Sequence, residues 1–490
     1  MSQSGPRLRL IAAVMWLFAA SAASGCATNP ATGGNQLMLV SEAQEIEMGR
    51  QADAAVVASI GLYQDPVWQR YIQQFGARLA ATSERPNLPW TFRVVDDPVV
   101  NAFAIPGGFV YVTRGLLAHL TSEAELASVV GHEIGHVTAR HTAAAMSKQQ
   151  LIGLGLAVGS MASSQVAKYA GTANQALGIL YLKFSRDDES QADQLGLRYM
   201  RRANYDPRQM PEVFRMLDRL GAAEGGGGRL PTWLATHPSP GNRVAAINGQ
   251  IAALPQDFSG MSVNRDSYQR LLDGLVFGLN PRQGYFTGSQ FFHPDLRFRM
   301  TFPDGWTTHN GAQAVVAVSP AKDAVIELSQ AAEPSADAAA RTFLSQQGIT
   351  SGTSARLSLS GGLAAVSAPF AAATDNGTLR GTVLFVEYGG AVYGIIGYAP
   401  ETRWSAYQGT AERALQSFQR LTDPAALNVQ PQHMDIVTLN RPTTIAQLAR
   451  ERFSPVAAAT LALINQVELQ TPFASGRLVK WVIGVALPVP

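Results

Sequence analysis

From Ser41 to about Ser59, and again from Pro66 to about Thr82, apolar residues recur at the spacing of one helix face. Asp65 ahead of Pro66 marks the second start, because proline at the first helical position gives up an amide that would lack a helical partner. Thr91–Val95 and Gly108–Thr113 read as strands, with Asn101–Ile105 as a short extended piece between them. Ser122 and Glu125 have the spacing of a capping box, and Leu126, Val129, Val130, Ile134 and Val137 then follow at helical intervals. A further helix opens near Ser185, with Leu195, Leu197, Tyr199 and Met200 as its apolar residues. Leu151–Ala167 is rich in Leu, Gly, Ala and Ser but shorter than the ~20 apolar residues a membrane span needs, so it reads as part of a helical hairpin over the site. Gly225–Gly228 is a flexible loop just ahead of His237.

After about residue 260 the pattern changes. Strand-like runs at Arg297–Phe302, Ala314–Val318, Ala324–Leu328, Thr382–Glu387 and Ala391–Tyr398 alternate with turn residues, and helical patterns interrupt them at Ala336–Gln347 and Trp404–Arg420. That predicts an α+β accessory domain at 285–422, with no catalytic constellation in it. His293 and His309 lack partners at ligand spacing and read as surface or packing residues. From about 435 a helix–helix–strand pattern closes the chain. No tetratricopeptide period is present.

Chemistry concentrates in His132-Glu133-Ile134-Gly135-His136. Residues four apart share a helix face, so both imidazoles can grip one metal ion, and Glu133 can act as base on a water there. A catalytic zinc site usually has three protein ligands. Glu189 and Asp193 are also four apart: Glu189 can supply the third ligand, and Asp193 can hold the N–H of a ligating histidine. Taken alone, such an acidic helix start is more often a solvated N-terminus; its pairing with the first motif makes it a ligand candidate. His141 falls five residues after His136, off the ligand face, and reads as a capping or packing residue.

Five pieces in order resemble the gluzincin metallopeptidases that include HtpX and the CAAX prenyl endopeptidase, in a bacterial periplasmic lipoprotein branch. They are Asn101-Ala102-Phe103-Ala104, Pro106-Gly107-Gly108, the histidine helix, Glu189-x-x-Ala192-Asp193, and His237-Pro238 followed by Arg243. The resemblance covers about residues 40–250 and implies a mainly helical, minigluzincin-like zincin domain with a small sheet. It implies His132, His136 and Glu189 as ligands of one Zn2+ per chain, and Glu133 as catalytic base. It also implies Asn101–Ala104 as an edge strand that binds a peptide by main-chain hydrogen bonds, an ordinary buried strand being the alternative. His237 is a candidate for the zinc's open position or for hydrogen bonding to an oxyanion, with a structural role as the alternative, and Arg243 could brace either state. Thr444-Ile445-Ala446, Leu461–Asn465 and Gly476–Lys480 resemble a degenerate LysM module, for which peptidoglycan contact and a structural or protein-binding role both stand.

Arg7 and Arg9 precede an apolar run from Leu10 to Ala20, followed by Ala23-Ser24-Gly25-Cys26. This looks like a lipoprotein signal, with Cys26, the chain's only cysteine, as the acylated first residue of the mature protein. The organisation expected is a signal at 1–25, a tether at 26–40, a zinc peptidase domain at 41–260, the accessory domain at 285–422 and the terminal module at 435–490. A net charge of +2 with both signs mixed gives no case for nucleic acid. The expected function is zinc-dependent endoproteolysis of unfolded or misassembled envelope proteins, from a lipid anchor in the outer membrane facing the periplasm. The alternative is a zinc-stabilised chaperone or scaffold for outer-membrane assembly, with proteolysis latent.

Overall fold

Serine and aspartate side chains start the helices of the first half. Ser41, Asp65, Ser122 and Ser185 accept hydrogen bonds from the amides of Gln44, Val67, Glu125 and Asp188 respectively. The computed structural model describes residues 26–148, 184–224, 237, 243–374 and 377–485. The expected signal segment, the Leu151–Ala167 run and the Gly225–Gly228 loop lie outside them. The helices of this half with both ends described are α1 (Glu42–Ile60), α2 (Pro66–Ala80), α3 (Arg114–His119), α4 (Glu123–Thr138), α5 (Arg186–Arg202), α6 (Met210–Glu224), α7 (Arg243–Ala252) and α8 (Arg265–Leu271), and residues 141–148 are helical as well. At the start of α4 the expected reciprocal box is altered: the Glu125 carboxylate accepts from the amide and hydroxyl of Thr121, one residue before the cap.

The small sheet has the order β3 (Thr91–Val95), β5 (Phe109–Thr113), β4 (Ala102–Ile105), with β3 parallel and β4 antiparallel to the central strand. The β4–β5 turn uses Gly107 and Gly108 at φ 82° and 99°, and a Cβ on Gly107 would lie 2.7 Å from the backbone of Ile46 in α1. Glycine is required there because α1 passes too close for a side chain. Residues 26–40, expected as a tether, contain a hairpin of β1 (Cys26–Thr28) and β2 (Asn35–Leu37).

The later part is rich in sheet. An eight-stranded antiparallel sheet runs β10 (Thr307–Asn310), β11 (Ala314–Val318), β12 (Val325–Ala331), β17 (Ala391–Pro400), β16 (Gly377–Tyr388), β15 (Leu363–Thr374), β13 (Ile349–Ser351), with β14 (Ala355–Leu359) also on β15. Helices α9 (Ala336–Leu344) and α10 (Glu401–Gln416) pack on it. A four-stranded sheet, β18 (Gln419–Arg420), β9 (Phe298–Thr301), β8 (Gln290–His293) and β7 (Tyr285–Thr287), shares its core through Phe291, Phe298 and Phe418. His293 accepts from the Leu296 amide and packs 5.4 Å from the Phe298 ring; His309 lies in edge strand β10.

The terminal segment is β19 (Gln432–Thr438), α11 (Ile445–Glu451), α12 (Ala458–Ile464) and β20 (Leu478–Ile483). β19 pairs with β20 and with β6 (Val276–Phe277), and Leu461, Val479 and Trp481 join the same apolar cluster as Leu116, Leu117 and Tyr268. Lys480 is fully buried and donates to the carbonyls of Ala118 and Leu120 at the end of α3, so the segment is seated on the element that leads into the histidine helix. No helix among the described residues is long and apolar enough to cross a membrane.

Candidate metal centre

Helices α4 and α5 meet through glycine. A Cβ built on Gly135 would lie 3.0 Å from the Ala192 carbonyl, and one on Gly196 would lie 3.0 Å from the His132 amide nitrogen. With no side chains between the backbones, the two helices approach closely and Glu189 reaches the histidine pair. The Nε2 atoms of His132 and His136 are 3.0 Å apart, and Glu189 oxygens lie 3.6 and 3.5 Å from them. The donor atoms of His132, His136, Glu189 and His237 all fall within 4.8 Å of one another, and all four residues are buried.

Proton accounting tests whether this cluster fits a cation. Asp193 Oδ1 lies 2.9 Å from His132 Nδ1. Arg243 clamps both oxygens of that carboxylate at 2.6 Å and holds it ionised against the cost of burial, so His132 carries its proton on Nδ1. His141 Nε2 lies 2.8 Å from the Gln191 oxygen, and its Nδ1 lies 2.9 Å from His136 Nδ1. Burial holds both of these rings below the ordinary histidine pKa, so each carries one proton. His141 must use its proton on Gln191, which leaves His136 to donate from Nδ1. The two Nε2 atoms therefore face each other and the Glu189 carboxylate, whose buried Oε2 accepts no hydrogen bond. Three electron-rich donors facing one point are what a cation would satisfy. Two nitrogens bound tetrahedrally to one zinc at ~2.0–2.1 Å lie roughly 3.3 Å apart, close to the separation here. The residues fit zinc.

Glu133 is buried beside this cluster, and its Oε1 has no hydrogen-bond partner. That oxygen is 3.6 Å from His237 Nε2, while His237 Nδ1 is 2.9 Å from Glu189 Oε1. Burial opposes charge on His237, but the facing carboxylates of Glu133 and Glu189 outweigh it and raise its pKa. Phe184 stacks on His136 with centroids 4.1 Å apart and also faces His237. Arg243 lies over the Phe214 ring at 4.3 Å and grips Asp193, not His237. Strand β4 packs against α4 at the edge of the small sheet. Ala102 in it is buried, Asn101, Phe103 and Ala104 are half-buried, and Phe103 stacks on Tyr111. Cys26 begins β1.

Sequence reasoning missed three partners of the histidines: Phe184, Gln191, and His141 as a contact of His136. A pattern built on helix periodicity cannot see them, because His141 follows a turn after α4 and Phe184 precedes α5.

Residues 66–251, which carry this site, match the profile of peptidase family M48. Among curated proteins, the chain is 36% identical over 212 residues to the beta-barrel assembly-enhancing protease of Yersinia pestis, covering 41% of this chain and 43% of that protein. It is 34% identical over 229 residues to the protein of that name from Escherichia coli K12, covering 44% and 46%. It is 40% identical over 160 residues to the mitochondrial metalloendopeptidase OMA1 of Arabidopsis thaliana, covering 33% and 31%. The chain spans less than half the length of each of these three relatives.

Proposed function

We propose that this chain is a zinc-dependent endopeptidase of the bacterial envelope that cleaves unfolded or misassembled proteins. The carrying observation is the buried convergence of His132, His136 and Glu189 beside Glu133. Zinc at this point would polarise a scissile carbonyl and bring a water's pKa toward ~7. Glu133 takes the proton from the attacking water and delivers it to the leaving amine. His132, His136 and Glu189 hold the metal, while Asp193, fixed by Arg243, orients His132. The unpaired side of β4, from Asn101 through Ala104, offers main-chain groups to an extended peptide as an added strand, which needs little sequence selectivity. His237 sits among the ligand atoms, a seat that favours a latch on the open position over a purely structural role.

The relatives named as assembly-enhancing proteases support the envelope setting. In this reading the domain is minigluzincin-like, Cys26 is acylated in the outer membrane, and the βααβ terminal segment is a LysM-like element able to meet peptidoglycan. The latch position of His237 also favours a second reading, a zinc-stabilised chaperone for outer-membrane assembly whose proteolysis is held latent. The test is Glu133→Gln, which keeps shape but loses the base. We expect wild-type zinc content and a ~10²–10⁴-fold loss of cleavage of an unfolded model protein. Near-normal, chelator-insensitive cleavage by the variant would overturn the mechanism.

A further inference from the structure

His132 and His136 are held in unlike ways. His132 Nδ1 meets the Asp193 carboxylate, which Arg243 clamps, whereas His136 Nδ1 meets another imidazole nitrogen, Nδ1 of His141, at 2.9 Å. An imidazole can present either a lone pair or an N–H, so something must fix which nitrogen of His141 carries the proton. The Gln191 oxygen does so, accepting from His141 Nε2 at 2.8 Å and from Asn29 Nδ2 at 3.2 Å. Two donors on one atom fix the orientation of the amide. Asn29 belongs to the turn of the β1–β2 hairpin, is 5% exposed, and also donates to the Ala139 carbonyl just beyond α4. Gln36 Nε2 reaches the same carbonyl at 3.2 Å, and the Leu39 amide donates to Ser147 Oγ at 3.0 Å. The hairpin at the start of the described residues is thus fastened to the end of the histidine helix.

We propose that Asn29, Gln191 and His141 form a positioning relay that fixes the tautomer and ring orientation of His136, so that the N-terminal hairpin sets zinc affinity. The proposal rests on the reading of His132, His136 and Glu189 as zinc ligands. Without His141, the His136 proton has no assigned seat on Nδ1, and the tautomer protonated on Nε2 cannot ligate a metal through Nε2, the atom that faces the cluster. Phe184, stacked on the ring, restrains its tilt but supplies no acceptor. Cys26 lies only three residues before Asn29, so whatever holds the chain at Cys26 is coupled by a short strand to the metal centre.

The test measures zinc dissociation constants by competition with a chromophoric chelator on full-chain wild type, His141→Ala, His141→Gln and Asn29→Ala. Thermal unfolding of each zinc-free protein is measured in parallel. Loss of an outer partner of a metal ligand costs typically ~10–100-fold in affinity, so His141→Ala should weaken zinc by that amount. His141→Gln places an amide oxygen near Nδ1 and should recover most of the loss. Asn29→Ala, one step further out, should weaken zinc by roughly 2–10-fold, less than the full outer-partner effect. In the cobalt-substituted protein, His141→Ala should shift the visible absorption bands. Wild-type affinity in both His141→Ala and Asn29→Ala, with only the zinc-free stability lowered, overturns the relay and leaves the ligand assignment standing. Failure of the wild type to bind zinc stoichiometrically overturns both.

Discussion

Gly196→Ala tests the idea that the metal centre is assembled by close helix packing. The added Cβ would sit 3.0 Å from the His132 amide nitrogen and 3.3 Å from Gly131 C and His132 Cα. Ordinary contacts begin near 3.4 Å, so the helices must separate by about 0.4 Å, in an interior that resists such shifts. Overpacking of this kind costs ~1–3 kcal/mol, against which alanine regains about 1 kcal/mol of helix propensity. The expected net loss of stability is therefore only ~0–2 kcal/mol. Zinc affinity should suffer more visibly, because Glu189 lies two helical turns from Gly196 and ligand distances tolerate only about ±0.2 Å. A loss of roughly tenfold, about 1.4 kcal/mol, is expected. The assay is chelator competition for zinc together with thermal unfolding of the zinc-free protein. Gly249→Ala in α7 is the control, since a Cβ there meets nothing within 4 Å, and it should stabilise by up to about 1 kcal/mol without changing zinc affinity. If Gly196→Ala behaved like Gly249→Ala in both measurements, close approach of α4 and α5 would not be what builds the site.

Three further outcomes are expected. On the proposed lipid-anchor reading, Cys26→Ala should lose acylation and move from the membrane fraction to the soluble periplasm; persistence in the membrane pellet would point to another anchor. His237→Ala should raise self-cleavage and turnover of an unfolded model protein if the imidazole is a latch, and unchanged kinetics with lowered thermal stability would leave it only a structural role. Burial lowers the Lys480 pKa from 10.5 to about 7, so the unfolded chain binds more protons between those values and stability must rise with pH across that window. Relative to Lys480→Met, wild type should therefore gain stability between about pH 6 and pH 9 in urea unfolding, and a constant difference would refute the lowered pKa.

The helices around the site were legible because their starts are chemical. Ser41, Asp65, Ser122 and Ser185 cap where the spacing of side-chain acceptor and apolar stripe says they should. The association of Glu189 with the two histidines was legible too, since two i,i+4 pairs on separate helices suggest a shared site. Strand β15 was missed, because half of Leu363–Thr374 is alanine and the segment carries too little alternation to announce a face. Lys480 misleads for a different reason. A lysine in an apolar run suggests an exposed edge, yet here the carbonyls left over at the end of α3 supply acceptors inside the core.

His141 shows where periodicity fails on physical grounds. Continued as a helix, residue 141 would lie 500° from residue 136, or 140° around the axis and away from the metal. The helix instead ends at Thr138, and Arg140 takes φ 60°, a left-handed conformation that turns the chain back. Arg140 is held there by Glu45 and by the Val40 carbonyl, both from the region around the start of α1. Arg85 bonds the same Glu45 and also takes the Val137 carbonyl, so the end of α4 is fixed from two sides. The imidazole that seats the His136 proton is thus placed by charges 50 to 100 residues away in sequence. No local pattern carries that information, and the residue that reads as bland packing is the one that touches a ligand.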